Sequence, residues 1–228
     1  MSQTPGRESG GLPSAGSEII DAVFAIYCPS LPVDHAFALS QAIQAELPWF
    51  AAEPGAGLHT VHGAASGSGW MRPEGGDAVL QLSRRARLAL RLPLRRLDDA
   101  AALVGRSLDI AGHALRIDKL APRPLSRITT LFSRCVLMPD CSDEIGFLRA
   151  ATAQLDAYGI RPARVLCGRI TPLATPARTY QTRSLMLAGL TREQSLAMQR
   201  DGLGEARTLG CGVFIPHKDI ADLRPGSD

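Results

Sequence analysis

The segment EIIDAVFAIYCPSLPVDHAFALSQAIQAEL at residues 18–47 carries two hydrophobic periods end to end, and their junction decides the fold. Residues 18–27 are a near-continuous apolar run, which predicts a strand. Ser30-Leu31-Pro32 breaks it. From residue 33 to 47, Ala36, Leu39, Ile43 and Leu47 recur every three or four positions, the stripe of an amphipathic helix that Pro48 closes. Working outward, a loop rich in Gly and Pro with a short strand at 58–61 leads to a strand between 79 and 91. Pro93 suits the first turn of a second helix carrying Leu94, Leu97, Ala101 and Val104, and Gly105 ends it. Residues 108–110 and 113–117, joined by Ala111-Gly112, predict a hairpin. This half reads β-α-β-β-α-β.

The same order returns after Pro122 and Pro124. A strand at 128–138 is followed by a helix at 142–158 with Ile145, Leu148, Thr152 and Leu155 on one side and Gly159 as its cap. Strands at 164–169 and 180–187 come next. Thr191-x-x-Gln194 is a capping box opening a short helix that ends near Gly202, and residues 209–215 predict the last strand. The expected fold is α+β: tandem ferredoxin-like domains with antiparallel sheets. They occupy 18–120 and 127–217, after a disordered Gly/Ser/Pro-rich tail at 1–17. Each sheet has one face under its helices and one face left for a partner or ligand.

The chain has 228 residues, 45% of them apolar and 21% charged, enough for a sizeable core. No run reaches the roughly 18 apolar residues of a membrane span, and residues 1–17 lack the order of a signal peptide. A cytoplasmic protein is expected. Five cysteines (Cys28, Cys135, Cys141, Cys167, Cys211) form no C-x-x-C pair, which predicts reduced, mostly buried thiols and no structural metal; no cofactor is expected. Charge is uneven: residues 1–69 hold one Arg against six acids, whereas residues 70–135 hold twelve Arg and one Lys against six acids. Arg84, Arg85, Arg87 and Arg91 cluster there as an anion-attracting stripe, because a planar fork of donors pairs with phosphate.

The stretch Gly202-Leu-Gly204-Glu-Ala-Arg207-Thr-Leu-Gly210-Cys-Gly212-Val-Phe brackets one Arg with four glycines. Such a loop can aim N–H groups at phosphate oxygens while Arg207 supplies charge. Equally, Gly202 suits a helix C-cap and Gly212 a strand bulge with no ligand at all. It is neither a Walker A loop nor a dinucleotide fingerprint. His59 and His62 are spaced H-x-x-H, but no Cys or carboxylate cluster nearby supports a metal. No G-x-S-x-G elbow is present.

Three pieces resemble the CRISPR repeat-processing endoribonucleases of the RAMP superfamily, and within it the Myxan-type branch. These are Leu31-Pro-Val-Asp-His35-Ala-Phe-Ala-Leu, Gly57-Leu-His59, and Gly202-Leu-Gly204 through Gly210-Cys-Gly212-Val-Phe-Ile-Pro216. The resemblance implies metal-independent cutting of CRISPR precursor RNA within its repeats, giving guide RNAs. It places the catalytic His at His35, with Tyr27 as a strand residue able to hold the phosphate or the attacking oxygen. His59 falls in the cleft on this reading, and Gly202, Gly204, Arg207, Gly210, Gly212, Arg84, Arg85 and Arg87 grip RNA. With Asp34 as N-cap, His35 sits in the first helical turn, where neutral imidazole is favoured and a proton can be taken from a ribose 2′-OH. It could instead be the acid for the leaving 5′-oxygen. The expected partner is a repeat stem-loop, with other subunits of an interference complex; no membrane and no DNA are expected. A non-catalytic RNA-binding RAMP subunit is the alternative. A small-molecule-binding or purely structural protein is the third reading.

Overall fold

A computed structural model describes residues 18–62, 78–139, 141 and 143–217. The tail predicted at 1–17 and the helix start predicted at Ser142 lie outside them. The first domain opens with β1 (Ile19–Tyr27), β2 (Ser30–Pro32) and α1 (Ala36–Glu46). It continues through β3 (Gly57–His59), β4 (Val79–Gln81) and β5 (Arg87–Pro93) to α2 (Leu97–Ala100) and the hairpin strands β6 (Ser107–Ile110) and β7 (His113–Pro124). Five strands pair in the order β3-β5-β1-β7-β6, all antiparallel, and β2 and β4 form a separate ribbon. The hairpin turn has positive φ at both Ala111 and Gly112, as a two-residue turn matching strand twist requires.

The second domain holds β8 (Leu131–Val136), α3 (Glu144–Ala157), β9 (Arg164–Ala174), β10 (Thr179–Ala188), α4 (Arg192–Asp201) and β11 (Ile215–Pro216). Its sheet order, β11-β8-β10-β9, is antiparallel throughout. Numbered within each domain, both sheets follow the 4-1-3-2 order of a ferredoxin-like unit; the first adds β6 at its edge. Each sheet packs one face on its helices. Leu39, Ile43 and Leu103 meet Phe24, Leu88 and Leu90 in the first domain, and Phe147, Leu155 and Met198 meet Leu131, Leu185 and Leu187 in the second. Among the described residues no helix is long and apolar enough to cross a membrane.

Several elements differ from the sequence expectation. The strand predicted between 79 and 91 is two strands, β4 and β5. The predicted helix at 93–105 is one turn of α-helix between 3-10 turns at Leu94–Arg96 and Ala101–Leu103. Leu94 and Val104, expected in its stripe, are exposed, because buried Glu53 holds Arg95 and Arg96 and Val104 turns extended ahead of Gly105. On α3 the buried residues are Phe147, Ala151 and Leu155, while Ile145 is 72% exposed. Phe147, the bulkiest apolar side chain, sets the inward face. β7 runs along β1 as far as Pro124, so the connection expected from residue 120 starts later. The strand expected at 209–215 reduces to β11, because Gly210 and Gly212 adopt positive φ that interrupts extended pairing.

Candidate active site between the two domains

A cleft of about 240 Å³ runs between the domains. Residues 33–36 at the start of α1 form one wall, with Thr60 and His62 beyond β3. Phe132, Arg134 and Cys135 of β8 form the other, with Thr171, Thr182 and Ser184 from β9 and β10 and Leu209 from the glycine loop. Strand alternation explains the second wall: Leu131 and Ser133 are buried while Phe132 and Arg134 turn to the cleft. Burial lowers the Arg134 pKa.

His35 lies at the mouth of α1 as its N-cap residue, not Asp34 as expected, and no side chain caps the helix. It is only 3% exposed. Nδ1 is 2.8 Å from the Pro32 carbonyl, which can only accept, and the Val61 N–H donates to Nε2 at 3.1 Å. These two bonds fix a neutral ring protonated on Nδ1, with Nε2 as the acceptor. Val61 is buried, and Thr60 and His62 on either side of it line the cleft. The Thr60 hydroxyl stands 3.0 Å from His62 Nε2.

The glycine loop meets this site, and its four glycine N–H groups turn to acceptors within the protein rather than outward as predicted. The N–H groups of Gly202, Gly204, Gly210 and Gly212 donate to Met198 O, Gln154 Oε1, Arg207 O and Cys135 O. Glycine is required for packing: a Cβ on Gly204 would stand 2.2 Å from Leu137 O, and one on Gly212 2.0 Å from Leu203 O. Arg207 Nη1 donates to Arg200 O and Asp201 O and its Nη2 to Gly55 O across the domain boundary, while its buried Nε has no acceptor among the described residues. Burial, with Arg91 nearby, lowers its pKa to about 10, so it stays charged near neutrality. The loop also joins the domains. Ser40 of α1 donates to Thr208 O at 2.7 Å, and Ala36, Leu137, Leu173 and Cys211 pack together.

Behind the cleft, Asp21 and Arg91 form a second junction. Arg91, expected in the exposed stripe, is fully buried; it donates to Asp21 and to the Gln199 and Phe214 carbonyls of the other domain. His59, expected in the cleft, instead gives its Nε2–H to Asp21 at 3.1 Å. Burial holds the His59 ring neutral, against the pull of Asp21 and with the push of Arg91. Burial alone would raise Asp21, but His59 and Arg91 outweigh it and keep the carboxylate ionised well below its usual range.

Arg84 and Arg85 lie between β4 and β5 and Arg87 opens β5; all three are exposed and none lines the cleft, and Arg87 donates to the Arg84 and Ala86 carbonyls. Tyr27, 62% exposed opposite Arg116 at the end of β1, also lies outside it. The cleft therefore brings together one predicted residue, His35, and two the sequence reading passed over, His62 and Arg134. The signal for both was alternation: Thr60 and His62 flank a buried Val61, and Arg134 follows Phe132 by two on a strand.

The fold is a tandem of ferredoxin-like domains closing on a histidine-lined cleft. The fold agrees with solved structures. A CRISPR associated protein Cas6 matches at TM-score 0.58 and 12% identity, over 89% of this chain and all of that one. A RAMP protein described as binding different RNA substrates matches at 0.58 and 12%, over 88% and 99%. In sequence, residues 20–219 match the family model "Cas6 Crispr", and the chain belongs to that family. The CRISPR-associated endonuclease Cas6 of Myxococcus xanthus (strain DK1622) is 29% identical over 197 residues, 86% of this chain and 81% of its own.

Proposed function

We propose that this protein is an endoribonuclease that cuts CRISPR precursor RNA within its repeats, without a metal, and supplies guide RNAs to an interference complex. A ribose 2′-OH attacks the adjacent phosphorus, leaving a 2′,3′-cyclic phosphate and a 5′-OH. One observation carries the reading: His35 is fixed as a neutral imidazole with Nε2 as acceptor, on the wall of a cleft whose opposite wall presents Arg134. A lone pair so oriented is what a general base needs. The 2′-OH takes the place of the Val61 amide at Nε2, and Arg134 balances charge building on the phosphoryl oxygens. The Myxococcus relative bears the name endonuclease, which agrees with a cutting role.

A second reading also has an observation behind it. Both His35 ring nitrogens are engaged and the ring is nearly enclosed, as suits a structural pin in a protein that only holds RNA. Incubating wild type and His35→Ala with repeat RNA in EDTA separates the two. A wild type that cuts to a cyclic phosphate, with His35→Ala about 100-fold or more slower, supports the enzyme. Tight binding of uncut RNA by the wild type supports the holder, and loss of cutting in EDTA overturns the metal-free route.

A further inference from the structure

Cleavage by in-line attack places the entering 2′-oxygen and the leaving 5′-oxygen on opposite sides of phosphorus. One imidazole cannot accept a proton at the first and deliver one to the second in the same step. His35 is set as the acceptor, because Pro32 O holds the proton on Nδ1 and leaves only the Nε2 lone pair to offer. A donor has to come from elsewhere in the cleft. Among the described residues its charged or titratable side chains are Asp34, His35, His62, Arg134 and the Cys135 thiol, which is paired with Cys211 Sγ at 2.8 Å. An ionised carboxylate only accepts, and Arg does not give up its proton. Among the described residues that leaves His62 as the group with the right chemistry.

We infer that His62 is the general acid that protonates the leaving 5′-oxygen, an inference that rests on the RNA-cleavage reading above. Its placement follows from its neighbour. The Val61 amide touches the His35 ring, Val61 buries its side chain, and the next residue turns its imidazole into the same cleft. Thr60 suits the role as well. A hydroxyl can donate to a bare ring nitrogen or accept from a protonated one, so the 3.0 Å contact holds the ring in both states. In the step, the 2′-OH proton passes to His35 Nε2 and the P–O2′ bond forms while P–O5′ breaks. The 5′-oxygen takes the His62 proton. His35 leaves the step protonated and His62 neutral, and exchange with water resets both.

The test uses two repeat RNAs, one natural and one with sulfur replacing the bridging 5′-oxygen at the cut, since a thiolate departs without a proton. On natural RNA, His62→Ala is expected to cut about 100-fold or more slower than wild type. On the thio RNA it recovers to within about threefold of wild type, because protonation of the leaving group no longer limits. His35→Ala stays slow on both. A misfolded or weakly binding His62→Ala would be slow on both too, so recovery on sulfur is the readout that a structural role does not produce. Wild-type cutting of natural RNA by His62→Ala, or an equal defect on both RNAs, overturns the assignment. A wild type that leaves both RNAs whole overturns the cleavage reading itself, a result distinct from the other two.

Discussion

Replacing Arg91 with Met removes a guanidinium that is fully buried and makes four hydrogen bonds. Two go to Asp21 at 2.9 and 3.3 Å, and two cross to the second domain, to Gln199 O at 2.9 Å and Phe214 O at 2.7 Å. Met fills much of the stem's space, so the loss is polar rather than a cavity. Breaking a buried pair from one side costs about 3–5 kcal/mol. Two carbonyls left dry cost about 1–3 kcal/mol each. These overlap, and His59 and Arg123 still reach Asp21, so the net loss is about 4 kcal/mol. At roughly 2–4 °C per kcal/mol for a chain of this size, the melting temperature falls by about 8–16 °C. Scanning calorimetry near neutral pH reads it, and the transition broadens because half the lost bonds join the domains. Adding Asp21→Asn recovers part of the loss by removing the carboxylate left without its guanidinium. A fall below about 3 °C for Arg91→Met would refute the idea that this residue holds the domains together.

Stability should also fall in acid in two stages. The folded His59 ring resists protonation, so the unfolded chain binds the extra proton below about pH 6.5; that stability is present above this pH and lost as pH drops. Asp21, held ionised in the fold, adds a second loss below about pH 4, and urea melts across pH should show both limbs with His59→Gln flattening the first. Gly212→Ala should cost about 2–4 kcal/mol through positive φ and a 2.0 Å clash with Leu203 O; Gly112→Ala, at a similar φ with open space, should cost about 1 kcal/mol in the same melts. The hydrogen bond with Cys135 and burial raise the Cys211 thiol, so Cys211 should resist iodoacetamide in the native protein while half-exposed Cys141 reacts, as peptide mass spectrometry will read.

Local chemistry made the element order legible. The Thr191 and Gln194 capping box forms as the spacing requires, and the Ala111-Gly112 turn closes its hairpin. The α1 stripe buries Ala36, Leu39 and Ile43 as its period implies. What the sequence hid were the directions of polar groups. Four glycines around an Arg permit outward N–H groups equally with inward ones, and acceptors that tertiary packing brings near, Gln154 Oε1 for Gly204 and Cys135 O for Gly212, decide for the latter. Arg91 looks like its exposed neighbours until β1 supplies Asp21 opposite it in register. His59 and His62 are equivalent by spacing, yet Asp21 claims one and the cleft the other.

The central claim is that the ribose hydroxyl beside the cut is the nucleophile. Repeat RNA carrying a single 2′-deoxy nucleotide on the 5′ side of the cut tests it in a single-turnover assay against the all-ribose strand. The deoxy RNA should bind as tightly and remain whole, while the all-ribose RNA ends in a 2′,3′-cyclic phosphate. Cutting of the deoxy RNA, or a 3′-hydroxyl on the natural product, would contradict the account.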